Sequence, residues 1–202
     1  MTSSLNIDLN VAKKVLATID AGLVRGVGNP VPGQMCVEAA VCYALDLPHG
    51  DDPGCVSQGL RSLKITLNDS RWSSDNARTA GLRRLGLAQL GSKGVLDEME
   101  FGERCAILSA NTSIPDALRS AASIEGNAAH KDKLLACIPA LEAATTVAEV
   151  KIAAANAAYA AYAAASAAAD ETLSRFAEGV VQILITMNAP GVQWLHLTEE
   201  ST

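Results

Sequence analysis

The sequence predicts an all-α protein: a compact N-terminal helical bundle followed by one long, alanine-rich C-terminal helix. Three observations carry that prediction. Alanine dominates an apolar fraction of 49%, while aromatic residues make up only 3%. Alanine is the best helix former and is depleted in strands. It also buries little area per residue, so its cores consist of many thin contacts between closely approaching helices. The second observation is apolar residues at helical spacing between glycine- and proline-rich breaks. The third is a 3.5-residue repeat near the C-terminus, the seam pattern of bundles and coiled coils.

The first helix is expected over Asp8–Val24, where Val11, Val15, Leu16, Ile19 and Leu23 share one face. "RGVGNPVPG" ends it with alternating glycine and proline. Met35–Leu45 follows, short and apolar all round, with Glu38 its one charge. A helix of that kind is a buried one. "DLPHGDDPG" is a turn, and the third helix covers Val56–Leu67. Ser73 or Ser74 caps a fourth helix, Asp75–Leu90. After "GSKG" a fifth runs over Leu96–Leu108, and "NTSIPD" caps a sixth near Ile114–Ser123. A short helix is expected at Lys131–Cys137.

The last helix starts at a capping box, Thr146 with Glu149 three residues on, and continues to Met187 without a proline. Ile152, Ala155, Tyr159, Tyr162, Ser166, Ala169, Leu173, Phe176, Val180, Ile183 and Met187 alternate by threes and fours. Such a helix is roughly 60 Å long at 1.5 Å per residue. The plain reading is a structural spine. The sharper one is a homodimer interface through Tyr159, Tyr162, Leu173, Phe176, Val180 and Ile183. Residues 1–140 are thus expected as the bundle, and 141–202 as the long helix and tail, packed as one unit.

A chain of 202 residues is one domain or a closely packed pair. No charged-then-apolar leader opens it, and no apolar run is long enough to span a bilayer. A cytoplasmic protein is expected, with the five cysteines as free thiols. The sequons at Asn68 and Asn111 are silent without secretion. The net charge is −6, yet Arg61–Arg84 carries six basic residues against two acids. An acidic chain with one basic segment does not coat extended nucleic acid, but it suits one compact anion.

The stretch "GQMCVEAAVCYALDLPHGDDPGCV" concentrates the reactive side chains. Cys36, His49 and Cys55, with Asp51 or Asp52 as a fourth, are acceptable zinc ligands, but their spacing lacks the close pairs of structural zinc sites. Alternatively Cys36, at a helix start where the dipole lowers a thiol pKa, is a nucleophile with His49 as base and Asp51 as its orienter. The bland reading makes Cys36 and Cys55 core residues, His49 a cap on helix-end carbonyls, and an aspartate the cap of the third helix.

With "LRSLKITLNDSRW" following it, the stretch resembles a block of uncharacterised bacterial and phage-borne helical proteins. The resemblance falls on Met35, Cys36, Val37, Ala40, Tyr43, Pro48, His49, Asp51, Pro53, Cys55, Asn68 and Asp69, under a fifth of the chain. Asp46 stands where that block usually has glycine. The resemblance implies a setting in mobile elements, hence an accessory or anti-defence role, and a site, but no chemistry.

A block spelled so specifically suggests a pocket. His49, Asp51, Arg61, Lys64, Asn68, Asp69, Arg71 and Trp72 are its expected ligand-binding residues. The cations would pair with phosphate and the indole would stack on a base, which describes a nucleotide-like anion. The plain alternatives are a solvated basic face and a core-edge tryptophan. The leading expectation is therefore a non-catalytic binding protein, without cofactor, that holds a small anion or engages a host protein. A Cys36–His49 hydrolase or transferase and a purely structural oligomer are the rivals.

Overall fold

A computed structural model describes residues 6–124, 128, 130–153 and 170–199 of the chain. The described residues are mostly helical and include no strand. α1 (Leu9–Asp20) begins at Asp8, whose carboxylate accepts from the Val11 N–H. It stops short of Val24 because the chain turns at Gly22 with φ +124, a conformation open to glycine. α2 (Val37–Ala44) buries every residue except Tyr43. α3 (Gln58–Asn68) buries Leu60, Lys64 and Leu67.

α4 (Asp75–Ala88) is capped by Ser74, whose hydroxyl accepts from the Ala77 N–H. Ser73 instead donates its own N–H to Asp170, fastening the α3–α4 turn to a helix far along the chain. α5 (Glu98–Asn111) is capped by Asp97, which accepts from the Met99 and Glu100 N–H groups. α6 (Ser113–Ala122), α7 (Lys131–Ala136) and α8 (Ile138–Glu142) follow as short elements. The capping box forms: Glu149 accepts from the Thr146 N–H at 3.0 Å, and Thr146 Oγ1 from the Glu149 N–H at 3.3 Å. Residues 147–153 are helical. The middle of the 3.5-residue repeat, with Tyr159 and Tyr162, lies outside the described residues. α9 (Asp170–Thr186) then leads into a 3-10 segment, Pro190–Thr198.

α4 sits at the centre of the main core, packed against α1, α2, α9 and the 3-10 segment. Glycines permit close approaches here. A Cβ at Gly81 would strike the Trp72 ring, and one at Gly191 would strike the backbone carbonyls of Leu87 and Ala88. In α9, Leu173 and Val180 are buried in this core, and Phe176 and Ile183 pack against it half-buried. These seam residues thus face the chain's own helices. A second apolar cluster joins Leu118, Leu134, Ile138, Leu141 and Val150 beneath α6–α8.

Candidate functional site

The start of α2 organises the site. Cys36 is the cap residue in extended conformation, and its sulfur accepts from the Ala39 N–H at 3.3 Å. Asn68, at the end of α3, is 1% exposed and reaches the same place. Its Oδ1 accepts from the Val37 N–H at 3.4 Å. Its amide nitrogen donates to the Val24 carbonyl at 3.0 Å and to Asp69 Oδ1 at 2.9 Å. Asp69 Oδ1 also accepts from the Gly26 N–H at 2.8 Å. The adjacent Asn68 and Asp69 therefore tie α3, the α1–α2 loop and the first turn of α2 together. That is the physical content of the "ND" in the sequence block.

Glu38 and Lys64 are the unusual pair. Both side chains are 0% exposed, and Lys64 Nζ lies 2.9 Å from Glu38 Oε1. The approach is close enough for an ion pair but lies outside hydrogen-bond geometry. Neither carboxylate oxygen nor the ammonium has a hydrogen-bond partner among the described residues. Burial pushes the Glu38 carboxyl up from its ordinary value, against the pull of Lys64. Burial likewise pushes the Lys64 ammonium down, against the pull of Glu38. Both shifts run toward neutral forms, as desolvation dictates.

Arg61, one turn before Lys64, faces a different group. Its guanidinium donates to the Asp51 carbonyl at 2.5 Å and to Asp51 Oδ1 at 2.6 Å. His49 is exposed, and its Nε2 lies 2.9 Å from the Gly28 carbonyl oxygen. It fastens the tip of the α1–α2 loop rather than the end of α2. Trp72 is buried, and its indole N–H donates to the Leu67 carbonyl at 2.9 Å, so the ring belongs to the core. Arg71 is exposed beside it. Asp52 accepts from the Gly54 N–H, shaping the turn before Cys55. Asp46 adopts φ +55. Aspartate is among the few side chains that enter this left-handed region readily.

A cavity of about 70 Å³ opens between α2, α3 and the α1–α2 loop. Cys36, Glu38, Asp51, Ile65, Asn68 and Asp69 line it. The structure thus gathers Asp51, Asn68 and Asp69 from the expected site. It diverts Arg61 and Lys64 into carboxylate pairs and leaves Trp72 and His49 on other duties. The lining includes three carboxylates and no arginine, lysine or histidine.

The two rival site chemistries fare differently from the pocket. Among the described residues, no three histidine, cysteine, aspartate or glutamate side chains are placed to hold one metal ion. Cys36, His49 and Cys55 therefore do not assemble as a zinc set. For the nucleophile, burial pushes the Cys36 thiol up, the opposite of what the helix start alone would do. Burial also pushes Cys42 up to about 12, with Glu38 adding to it.

Sequence reasoning passed over Glu38 as a site residue, although a lone acid in a wholly apolar helix signals a buried partner. It also expected Lys64 in a ligand pocket or on a solvated face, not in the core. Leu60, Lys64 and Leu67 follow a four-then-three spacing, which places the lysine in the middle of an apolar stripe. Comparison with protein-family models, with curated proteins and with solved structures gives no match.

Proposed function

We propose that the chain is a non-catalytic binding protein whose ligand site is the cavity at the start of α2. One observation carries this reading: Glu38 and Lys64 are buried completely, and their remaining hydrogen-bonding capacity is unmet among the described residues. Each desolvated ion costs several kcal/mol unless its geometry and hydrogen bonds are complete. A half-satisfied polar network is worse for stability than an apolar core. Glu38 lines a cavity large enough for a small polar group, and an occupant there would supply what the described residues do not.

The reading is favoured over a Cys36–His49 enzyme because the Cys36 sulfur is buried, held by Ala39 and pushed toward the neutral thiol. The helical bundle serves as the scaffold that brings α2, α3 and the α1–α2 loop together.

Native mass spectrometry beside a denatured sample tests the proposal, supported by a thermal-shift screen of small ions and metabolites of both charge signs. A retained mass, or a saturable shift that Glu38→Gln weakens, is the expected result. A bare native mass, together with a flat screen in which Glu38→Gln behaves as wild type, overturns it.

A further inference from the structure

We infer that the cavity takes the head group of a small organic cation with several N–H donors, a primary ammonium or a guanidinium. This rests on the binding reading above and gives it a ligand class opposite in sign to the nucleotide-like anion expected from sequence.

The argument starts from which lining oxygens are engaged. Glu38 Oε1 faces the Lys64 ammonium, and Asp51 Oδ1 accepts from Arg61. Asp69 Oδ1 accepts from the Gly26 N–H and the Asn68 amide. The second oxygen of each carboxylate, Glu38 Oε2, Asp51 Oδ2 and Asp69 Oδ2, has no hydrogen-bond partner among the described residues. The Glu38 oxygen is fully buried, so water outside cannot solvate it. An occupant must therefore bring donors rather than acceptors.

The charge count points the same way. Lys64 and Arg61 balance Glu38 and Asp51. Asp69 is met by neutral donors, so the lining keeps one uncompensated negative charge. A singly charged cation balances it. A phosphate-bearing ligand would instead add its charge to the uncompensated one in a partly dry site, where like charges repel.

Geometry selects among cations. The acidic groups are not placed to share one metal ion. Acceptors that do not form one coordination sphere suit a polyatomic cation, whose N–H bonds diverge from one centre. The volume of about 70 Å³ sets the size. It holds a head group and a carbon or two, well below the roughly 300 Å³ of pockets that enclose whole drug-sized ligands. Asp51 and Asp69 are half-exposed while Glu38 is not, so the cationic head enters from the side of the two aspartates, toward Glu38, and the rest of the ligand points outward. The source is either a free amine or guanidine, or a lysine or arginine side chain of a peptide.

Titration of the full chain with methylammonium chloride and guanidinium chloride in the low millimolar range tests this, read by calorimetry and backbone amide NMR. Sodium chloride at equal ionic strength is the control, and sodium phosphate and AMP are the anionic probes. Saturable binding of either cation is expected, with shifts at Gly26, Val37 and Asn68. Asp69→Asn keeps an oxygen for Gly26 but removes the charge, and is expected to weaken binding at least about tenfold. If that variant does not fold, competition between the two cations for one set of shifts gives the same support.

Blocked tripeptides with central lysine or arginine then separate the sources. Tighter binding of the peptide points to a protein side chain, and tighter binding of the free cation to a small molecule; either supports the cation. Binding of phosphate or AMP at these residues, with the cations silent, overturns the cation and leaves the binding protein standing. Silence of all probes, with only ordered water in a crystal of the cavity, overturns both.

Discussion

Lys64 Nζ and Glu38 Oε1 meet at 2.9 Å inside the protein, with neither side chain exposed. The pair comes from two helices, and its consequences for stability are specific. Removing one partner leaves the other as an uncompensated buried charge. Glu38→Leu or Lys64→Met alone is expected to destabilise the fold by about 3–5 kcal/mol, whereas the double substitution is expected near neutral or up to about 1–4 kcal/mol more stable. Urea unfolding of the four-member cycle measures it. Equal and additive losses from the two single variants would show that the ion pair is not the coupled unit seen here.

The same pair gives a pH dependence. The Glu38 carboxyl is raised in the folded state, so its contribution favours folding at low pH and is lost as pH rises from 4.5 through its folded value. The Lys64 ammonium is lowered, so its contribution favours folding above 10.5 and is lost as pH falls through its folded value. Wild type is therefore expected to be least stable near neutrality relative to the Glu38→Leu/Lys64→Met double variant, and to recover toward both ends of the range. Unfolding free energies of the two proteins between acid and alkaline pH decide it. A difference independent of pH would mean that both groups titrate as they do in water.

How much of this was legible in the sequence follows from the range of the forces involved. Local signals read true: the Ser74 cap, the Thr146–Glu149 box and the loops at glycine and proline all depend on residues within a few positions. Boundaries moved where a backbone detail intervened, as at Gly22, or at Cys36, which caps α2 instead of lying in it. The pocket region was legible as a concentration of unusual residues. Its electrostatics were not, because Glu38 and Lys64 are 26 positions apart and only packing sets them face to face. Arg61 and Lys64 look alike in sequence. One turn of helix sends the first to Asp51 and the second into the core.

Thiol reactivity follows burial. Cys36, Cys42, Cys55 and Cys105 are buried and Cys137 is half-buried. Burial pushes the first four up, Cys42 and Cys105 to about 12. The thiolate is the reactive form, so iodoacetamide at neutral pH is expected to modify Cys137 first, and the other four only after denaturation. Peptide mapping over time measures the order. Rapid labelling of Cys36 in the native protein would revive the nucleophile reading.

Close packing makes two glycines behave oppositely. A Cβ at Gly81 meets the Trp72 ring at Cζ3, 2.6 Å away, and Ser174 Oγ at 2.9 Å. Gly102, also helical, has nothing within 4 Å of such a Cβ. Alanine gains about 1 kcal/mol of helix propensity at either site, and overpacking costs about 1–3 kcal/mol at the first alone. Gly102→Ala is expected to raise the melting temperature and Gly81→Ala to lower it. Equal gains would show that the indole has room to move.

The last prediction concerns α9. Leu173 and Val180 were candidates for a seam between two subunits, yet they are 8% and 0% exposed in a single chain, against the core around α4. An aspartate at either position buries an unpaired carboxylate among apolar side chains, which places it with the most damaging single substitutions, above about 4 kcal/mol. Val180→Asp is therefore expected to abolish cooperative unfolding and much of the helical circular dichroism. A seam between subunits would give a different result: a folded chain at half the wild-type mass. Circular dichroism and light scattering on the same sample separate the two. Loss of fold with no folded species of lower mass assigns these residues to the core of one chain, whereas a well-folded, lighter Val180→Asp protein would move them to an interface.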